Sequence, residues 1–149
     1  MKKEIGLYIH IPFCKSKCNY CDFTSYTGKE EKVDQYIEAV IKEIKQENLE
    51  NYKIKTIYIG GGTPSILSEA QITKLLTAAT KNQTPEEITI EINPGTATKE
   101  KLQTYKTLGI TRLSIGLQVA QNHLLKQLRQ NPYLRGVRRN LQPSKKTRT

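Results

Sequence analysis

Ile5-Gly-Leu-Tyr-Ile-His-Ile-Pro-Phe-Cys-Lys-Ser-Lys-Cys-Asn-Tyr-Cys-Asp-Phe23 is the stretch on which the reading of the chain turns. Its first seven residues are mostly apolar, β-branched or aromatic, and Pro12 bounds them, so a buried strand is expected over Ile5–Ile11. The loop at that strand's carboxyl end carries all three cysteines of the chain, Cys14, Cys18 and Cys21, spaced C-x3-C-x2-C. An odd count does not make a disulfide framework, and the opening Met-Lys-Lys-Glu-Ile-Gly lacks the pattern of a secretory signal. A structural zinc site takes four ligands, usually in two pairs; here the fourth would be His10 or a distant residue. A cubane iron–sulfur cluster normally takes four cysteines, so three leave one iron open to a chelating ligand. A cluster of free buried thiols and an incomplete zinc knuckle are the plainer alternatives. His10 falls in the strand, and a hydrogen-bonded core or pocket-wall histidine is preferred to a metal ligand there.

Outward from this stretch the pattern repeats. Glu30–Asn48 reads as a helix, with Val33, Tyr36, Ile37, Val40, Ile41 and Ile44 at three- and four-residue spacing. Ile54–Ile59 is a second strand and runs into Gly60-Gly-Gly-Thr-Pro64. Consecutive glycines let backbone N–H groups approach a ligand. The Gly-Lys-Ser/Thr of a phosphate loop is missing, and a turn without a ligand is the bland reading. Ser68 and Gln71 form a capping box for a helix through about Ala79. Glu86–Ile92 is a third strand, stopped by Asn93-Pro94-Gly95. Glu91 at its end suits ribose hydroxyls or an ammonium group, unless it is a solvated strand-end charge. Thr98–Leu108 is a helix with Leu102, Tyr105 and Leu108 inward and Gly109 past its end. Arg112–Gln118 is a fourth strand, and a helix is expected from Ala120 with Leu124, Leu125 and Leu128. Four β-α units at about 30-residue spacing predict right-handed crossovers and a parallel sheet. Ligands bind at the carboxyl ends of strands in such folds, and the marked residues all fall there.

The motifs together resemble a known family. C-x3-C-x2-C with Tyr20 before the last cysteine is similar to the signature of radical S-adenosylmethionine proteins. Tyr8-Ile-His-Ile-Pro-Phe-Cys14, Gly60-Gly-Gly-Thr-Pro-Ser65, Glu91-Ile-Asn-Pro94 and Leu113-Ser-Ile-Gly-Leu-Gln118 resemble the oxygen-independent coproporphyrinogen III oxidase branch, over about residues 5–128. The true dehydrogenases carry one more cysteine in a C-x-C pair; Phe23 stands there, as in HemW-type heme chaperones. The resemblance implies an α/β fold: a partial TIM barrel with a parallel sheet, of which about four β/α units are present. It implies that Cys14, Cys18 and Cys21 ligate three irons of a [4Fe–4S] cluster whose fourth iron chelates S-adenosylmethionine. Tyr8, Tyr20, Gly61, Gly62, Thr63, Glu91 and Gln118 match positions that hold this cosubstrate in relatives. In enzyme members the outcome is a 5′-deoxyadenosyl radical. In the chaperones the task is to bind heme and pass it to acceptor proteins, with porphyrinogen the substrate of the oxidases. No catalytic residue or heme ligand is assigned; His10 and His123 are the only histidines.

The net charge of +10 suggests nucleic acid at first sight. Its distribution argues otherwise. Residues 129–149 hold seven of the 24 basic residues and no acid, and Arg112 is the only arginine before them. No run of 18 apolar residues suggests a membrane span, and clustered free cysteines suit a reducing cytoplasm. The family continues after Leu128 with Gly-Arg-Ile-His-Thr, and its arginine contributes to cosubstrate binding; Gln130 takes that place here. Permissible codons for Arg129-Gln-Asn-Pro-Tyr133, read one base later, spell Gly-Arg-Ile-His-Thr. Residues 1–128 are therefore expected to be an incomplete radical S-adenosylmethionine core and 129–149 an out-of-frame tail, with poor stability and no activity for the product. A genuine basic tail that binds nucleic acid or acidic membrane is the alternative. A small non-enzymatic zinc- or nucleic-acid-binding protein is the remaining reading.

Overall fold

A computed structural model describes residues 2–116. Gln118, His123, Gln130, the helix expected from Ala120 and the 129–149 segment lie outside the described residues. Four strands, β1 (Lys3–Ile11), β2 (Tyr52–Gly61), β3 (Glu87–Ile92) and β4 (Arg112–Ile115), alternate with three helices, α1 (Val33–Gln46), α2 (Glu69–Ala79) and α3 (Lys99–Thr107). The strands form one parallel sheet in the order β1-β2-β3-β4. A strand order that follows the chain is that of a barrel wall, whereas a doubly wound sheet reverses at a switch point. The helices follow the same arc, α1 packing on α2 and α2 on α3. The expected α/β partial barrel is therefore present.

Period-two alternation sends the strands' isoleucines to the helix side. Ile9, Ile11, Ile57, Ile59, Ile88, Ile90 and Ile92 join Val33, Ile37, Ile41, Ile44, Ile72, Leu75, Leu76 and Tyr105 in one buried cluster. Tyr36, Val40, Leu102 and Leu108, expected inward, are only partly buried at its rim. The capping box forms as expected: Gln71 N donates to Ser68 Oγ at 3.2 Å, and Ser68 N to Gln71 Oε1 at 2.8 Å. Gln71 also donates from Nε2 to Asp34 Oδ1 at 2.7 Å, tying α2 to α1. Gly109 has φ +80° beyond α3, as a left-handed helix stop requires.

Several boundaries differ from the sequence reading: β1 starts two residues earlier at Lys3, β2 starts at Tyr52, and β4 ends at Ile115, with Gly116 already outside the strand. α1 starts at Val33, because Glu30–Lys32 forms a 3-10 turn. β2 extends to Gly61 because Gly60 and Gly61 pair with His10 and Ile11 of β1. Two of the glycines are thus strand residues, not loop residues.

Candidate functional site

The other face of the sheet carries the polar members of the alternation. Tyr8 faces Tyr58 across the β1–β2 register, His10 faces Gly60, and Glu91 faces Ser114. At the carboxyl ends of these strands lies a cavity of about 740 Å3, lined by Cys14, Cys18, Cys21, Tyr20, Gly61, Gly62, Thr63 and Glu91 among others. That volume lies in the range of small-molecule sites. All the sequence-predicted residues within the described region border this cavity except Tyr8. Tyr8 sits one step down the sheet, stacked on Tyr58 at 6.1 Å between ring centroids.

The cysteine loop is anchored at its stem. Tyr26 N donates to Pro12 O at 2.7 Å, and Cys14 N to Tyr26 O at 2.9 Å. Cys14 is buried, while Cys18 and Cys21 are half-buried and share a turn in which Cys21 N donates to Cys18 O. The glycine turn locks onto the same stem. Gly62 N donates to Ile11 O at 2.9 Å, Thr63 N to Phe13 O at 2.8 Å, and the Thr63 hydroxyl reaches Cys14 Sγ at 3.5 Å. A Cβ on Gly62 would lie 2.7 Å from Phe13 O and 2.9 Å from Cys14 Sγ. Gly61 adopts φ +121°, and a Cβ there would meet the His10 ring at 2.8 Å. The glycines were expected to let a ligand approach; here they also let the first thiol and the first strand approach.

His10 is held at both nitrogens. Nε2 lies 2.9 Å from the Thr24 carbonyl, which can only accept, so Nε2 carries the proton. Nδ1 then accepts from the Tyr8 hydroxyl at 2.9 Å. This is the hydrogen-bonded histidine preferred from the sequence, with no lone pair left for a metal; it does not itself line the cavity. Glu91 accepts from Tyr58 OH at 2.8 Å and from Gly61 N at 3.1 Å. A carboxylate has about four lone-pair positions, so room remains for a ligand's donors. The Glu91 hydrogen bond, followed by burial, raises the Tyr58 phenol above its usual range; burial, followed by the Glu91 charge, raises Tyr8. Both phenols are donors at neutral pH.

Among the described residues no three Cys, His, Asp or Glu side chains are grouped to hold a metal ion. A cubane does not ask for convergence on one ion, since each thiolate takes a different iron. The donor chemistry therefore fits a cluster: three thiols on one loop, facing one cavity. Lys17, Asn93, Thr96 and Ser114 also border the cavity and were missed in the sequence. Asn93 carries the same signal as Glu91, a polar residue at a strand exit. Ser114 follows from its register with Glu91. Lys17 gives no local signal.

A parallel barrel wall with three thiols after its first strand and a glycine turn after its second defines a class, and the comparison with known proteins agrees. The family model of the Radical SAM superfamily matches residues 8–145, and the chain belongs to that superfamily. Within it, the chain is similar to the heme chaperone HemW of Lactococcus lactis subsp. lactis, 40% identical over 131 residues that cover 86% of this chain and 34% of that protein. It is 43% identical over 127 residues to the heme chaperone HemW of Synechocystis sp., covering 79% of this chain and 31% of that one. The solved structure of coproporphyrinogen III oxidase HemN from Escherichia coli superposes with a TM-score of 0.85 at 27% identity, covering 94% of this chain and 34% of that one. The chain spans about a third of the length of these relatives.

Proposed function

We propose that this chain is the cluster-bearing, amino-terminal part of a HemW-like radical S-adenosylmethionine protein. The observation that carries the reading is the meeting of Cys14, Cys18 and Cys21 with Gly61, Gly62, Thr63 and Glu91 around one cavity at the strand ends. The three thiolates would hold three irons of a [4Fe–4S] cluster. When bound, that cluster supplies an open iron for the amino and carboxylate groups of S-adenosylmethionine and an electron for its sulfonium. The chain's own residues bind and orient. Glu91, fixed by Tyr58 and Gly61 N, presents a carboxylate to hydroxyl or ammonium donors. Tyr20 borders the cavity from the cysteine loop. Gln118 is proposed to complete the cosubstrate site.

The HemW relatives are named heme chaperones; for the protein that contains this core we propose heme binding and its transfer to acceptor proteins, in a reducing cytoplasmic setting. No described helix is long and apolar enough to cross a membrane. Phe23, 68% exposed where the dehydrogenases carry a cysteine, favours the chaperone over porphyrinogen oxidation. For residues 129–149 we keep the out-of-frame reading, which sequencing of codons 120–150 decides: a shifted frame that continues into further strand–helix units supports it.

The functional test is anaerobic reconstitution of the 149-residue chain with iron and sulfide. Expected are about four irons and four sulfides per chain and a brown chromophore, lost in each of Cys14→Ser, Cys18→Ser and Cys21→Ser. One zinc and no colour would overturn the reading.

A further inference from the structure

The return leg of the cysteine loop, residues 23–26, is fastened residue by residue. Tyr26 is held by its two backbone bonds to Pro12 and Cys14. Thr24 is held through its carbonyl by His10. The remaining two residues share one lysine, and the Ser25 hydroxyl also donates to the Phe23 carbonyl at 3.3 Å. Lys17 Nζ donates to the Phe23 carbonyl at 2.7 Å and to Ser25 Oγ at 2.8 Å. Lys17 precedes Cys18, so its side chain runs from the outgoing leg of the loop to the return leg. The Phe23 ring is largely exposed and adds little burial. Within that leg, Lys17 and not apolar packing holds Phe23 and Ser25 to the outgoing leg.

The same ammonium has only neutral acceptors. Among the described residues, none of the ion pairs includes Lys17. A positive charge held by a carbonyl and a hydroxyl, on the wall of the cavity that the three thiols face, is complementary to an anion there.

We propose that Lys17 is the positioning residue of the cysteine loop, clasping its two legs together, and that its ammonium is the fixed counter-charge to the cluster. A cubane held by three thiolates is anionic, and more so once reduced. A nearby cation favours the reduced form and raises the midpoint potential. The clasp concerns the chain without cofactor; the counter-charge rests on the proposed cluster.

Lys17→Met keeps the unbranched stem of the side chain up to its last atom and removes the ammonium, with both hydrogen bonds and the charge. Amide hydrogen exchange on the cluster-free 149-residue chain tests the clasp. Two lost hydrogen bonds should speed exchange across residues 12–26 by about tenfold, with the amides of β2 and β3 unchanged. Ser25→Ala removes one of the lysine's acceptors and the long serine–Phe23 bond. It keeps the charge and the lysine's bond across to Phe23, and should give a smaller rise in the same segment. Exchange in both variants equal to that of the unaltered chain overturns the clasp. After anaerobic reconstitution, Lys17→Met should shift the cluster's midpoint potential to more negative values and hasten iron loss to a chelator. Lys17→Arg should restore the potential, and Ser25→Ala should leave it in place. An unchanged potential in Lys17→Met overturns the counter-charge. If the unaltered chain takes up no cluster, the functional reading and the counter-charge fall together, while the exchange result still decides the clasp.

Discussion

The two faces of the sheet are built on opposite rules. On the helix side Ile57, Ile59, Ile88, Ile90 and Ile92 are almost closed to solvent and differ only in position. On the cavity side Tyr8, Tyr58, Glu91 and Ser114 are open or half-open and none repeats another's role. Apolar burial is non-directional, so one residue type serves at every position. Hydrogen bonds and close backbone approaches are directional, so each cavity-side position needs its own residue. The contrast predicts where substitutions harm stability and where they harm the site.

The largest effect should come from the apolar face. Ile90 is fully buried at the centre of β3. Ile90→Ala should destabilise the chain by about 2–5 kcal/mol, through lost transfer energy and the cavity left behind. Denaturant unfolding measures it. A cost far below that range would mean the helix side is loosely packed, and the contrast between the faces would fail.

A smaller but more local effect is expected where the glycine turn meets the cysteine stem. Gly62→Ala would bring a methyl group against the Phe13 carbonyl and the Cys14 sulfur. Overpacking of this kind costs about 1–3 kcal/mol, and the backbone carbonyl cannot swing aside as a side chain would. The displacement falls on Cys14, so iron uptake should drop while β3 keeps its exchange protection. Normal stability together with normal iron uptake would show that the third glycine is not needed for that approach.

The two faces also differed in how much the sequence disclosed. The helix side was legible because its rule is periodic: isoleucines two apart on strands, and three or four apart on α1. The capping box of α2 was legible because its partners are three residues apart. The cysteine spacing and the strand-exit glycines and Glu91 were legible as local motifs, and the family resemblance gave them roles. What stayed hidden depends on contacts across long stretches of chain. The sequence could not show that Gly60 and Gly61 pair with His10 and Ile11 and so lengthen β2. It could not show that Tyr8 lies below the cavity, linked to it through Tyr58 and Glu91. Lys17 looks like any surface lysine until the return leg of the loop folds back over it.

The smallest effect concerns the one place, among the described residues, where the apolar side holds a buried side-chain polar atom without a partner. Tyr105 of α3 is 2% exposed, and its hydroxyl makes no hydrogen bond. Burial, with a contribution from Glu69, pushes its phenol up to about 12 from an ordinary 10. The folded state therefore binds the proton more tightly than the unfolded chain does. Stability from this group is complete below pH 10 and falls as the pH rises through 10 towards 12. The step from 10 to about 12 corresponds to about 3 kcal/mol at most. Tyr105→Phe keeps the ring and removes the unpartnered hydroxyl, so it should stabilise the chain by about 1 kcal/mol at neutral pH. It should also remove this alkaline decline. Unfolding midpoints of both proteins at pH 7 and across the alkaline range measure the two effects together. A less stable phenylalanine variant would mean that the hydroxyl has a partner in solution, and the helix side would then share the directional rule of the cavity side.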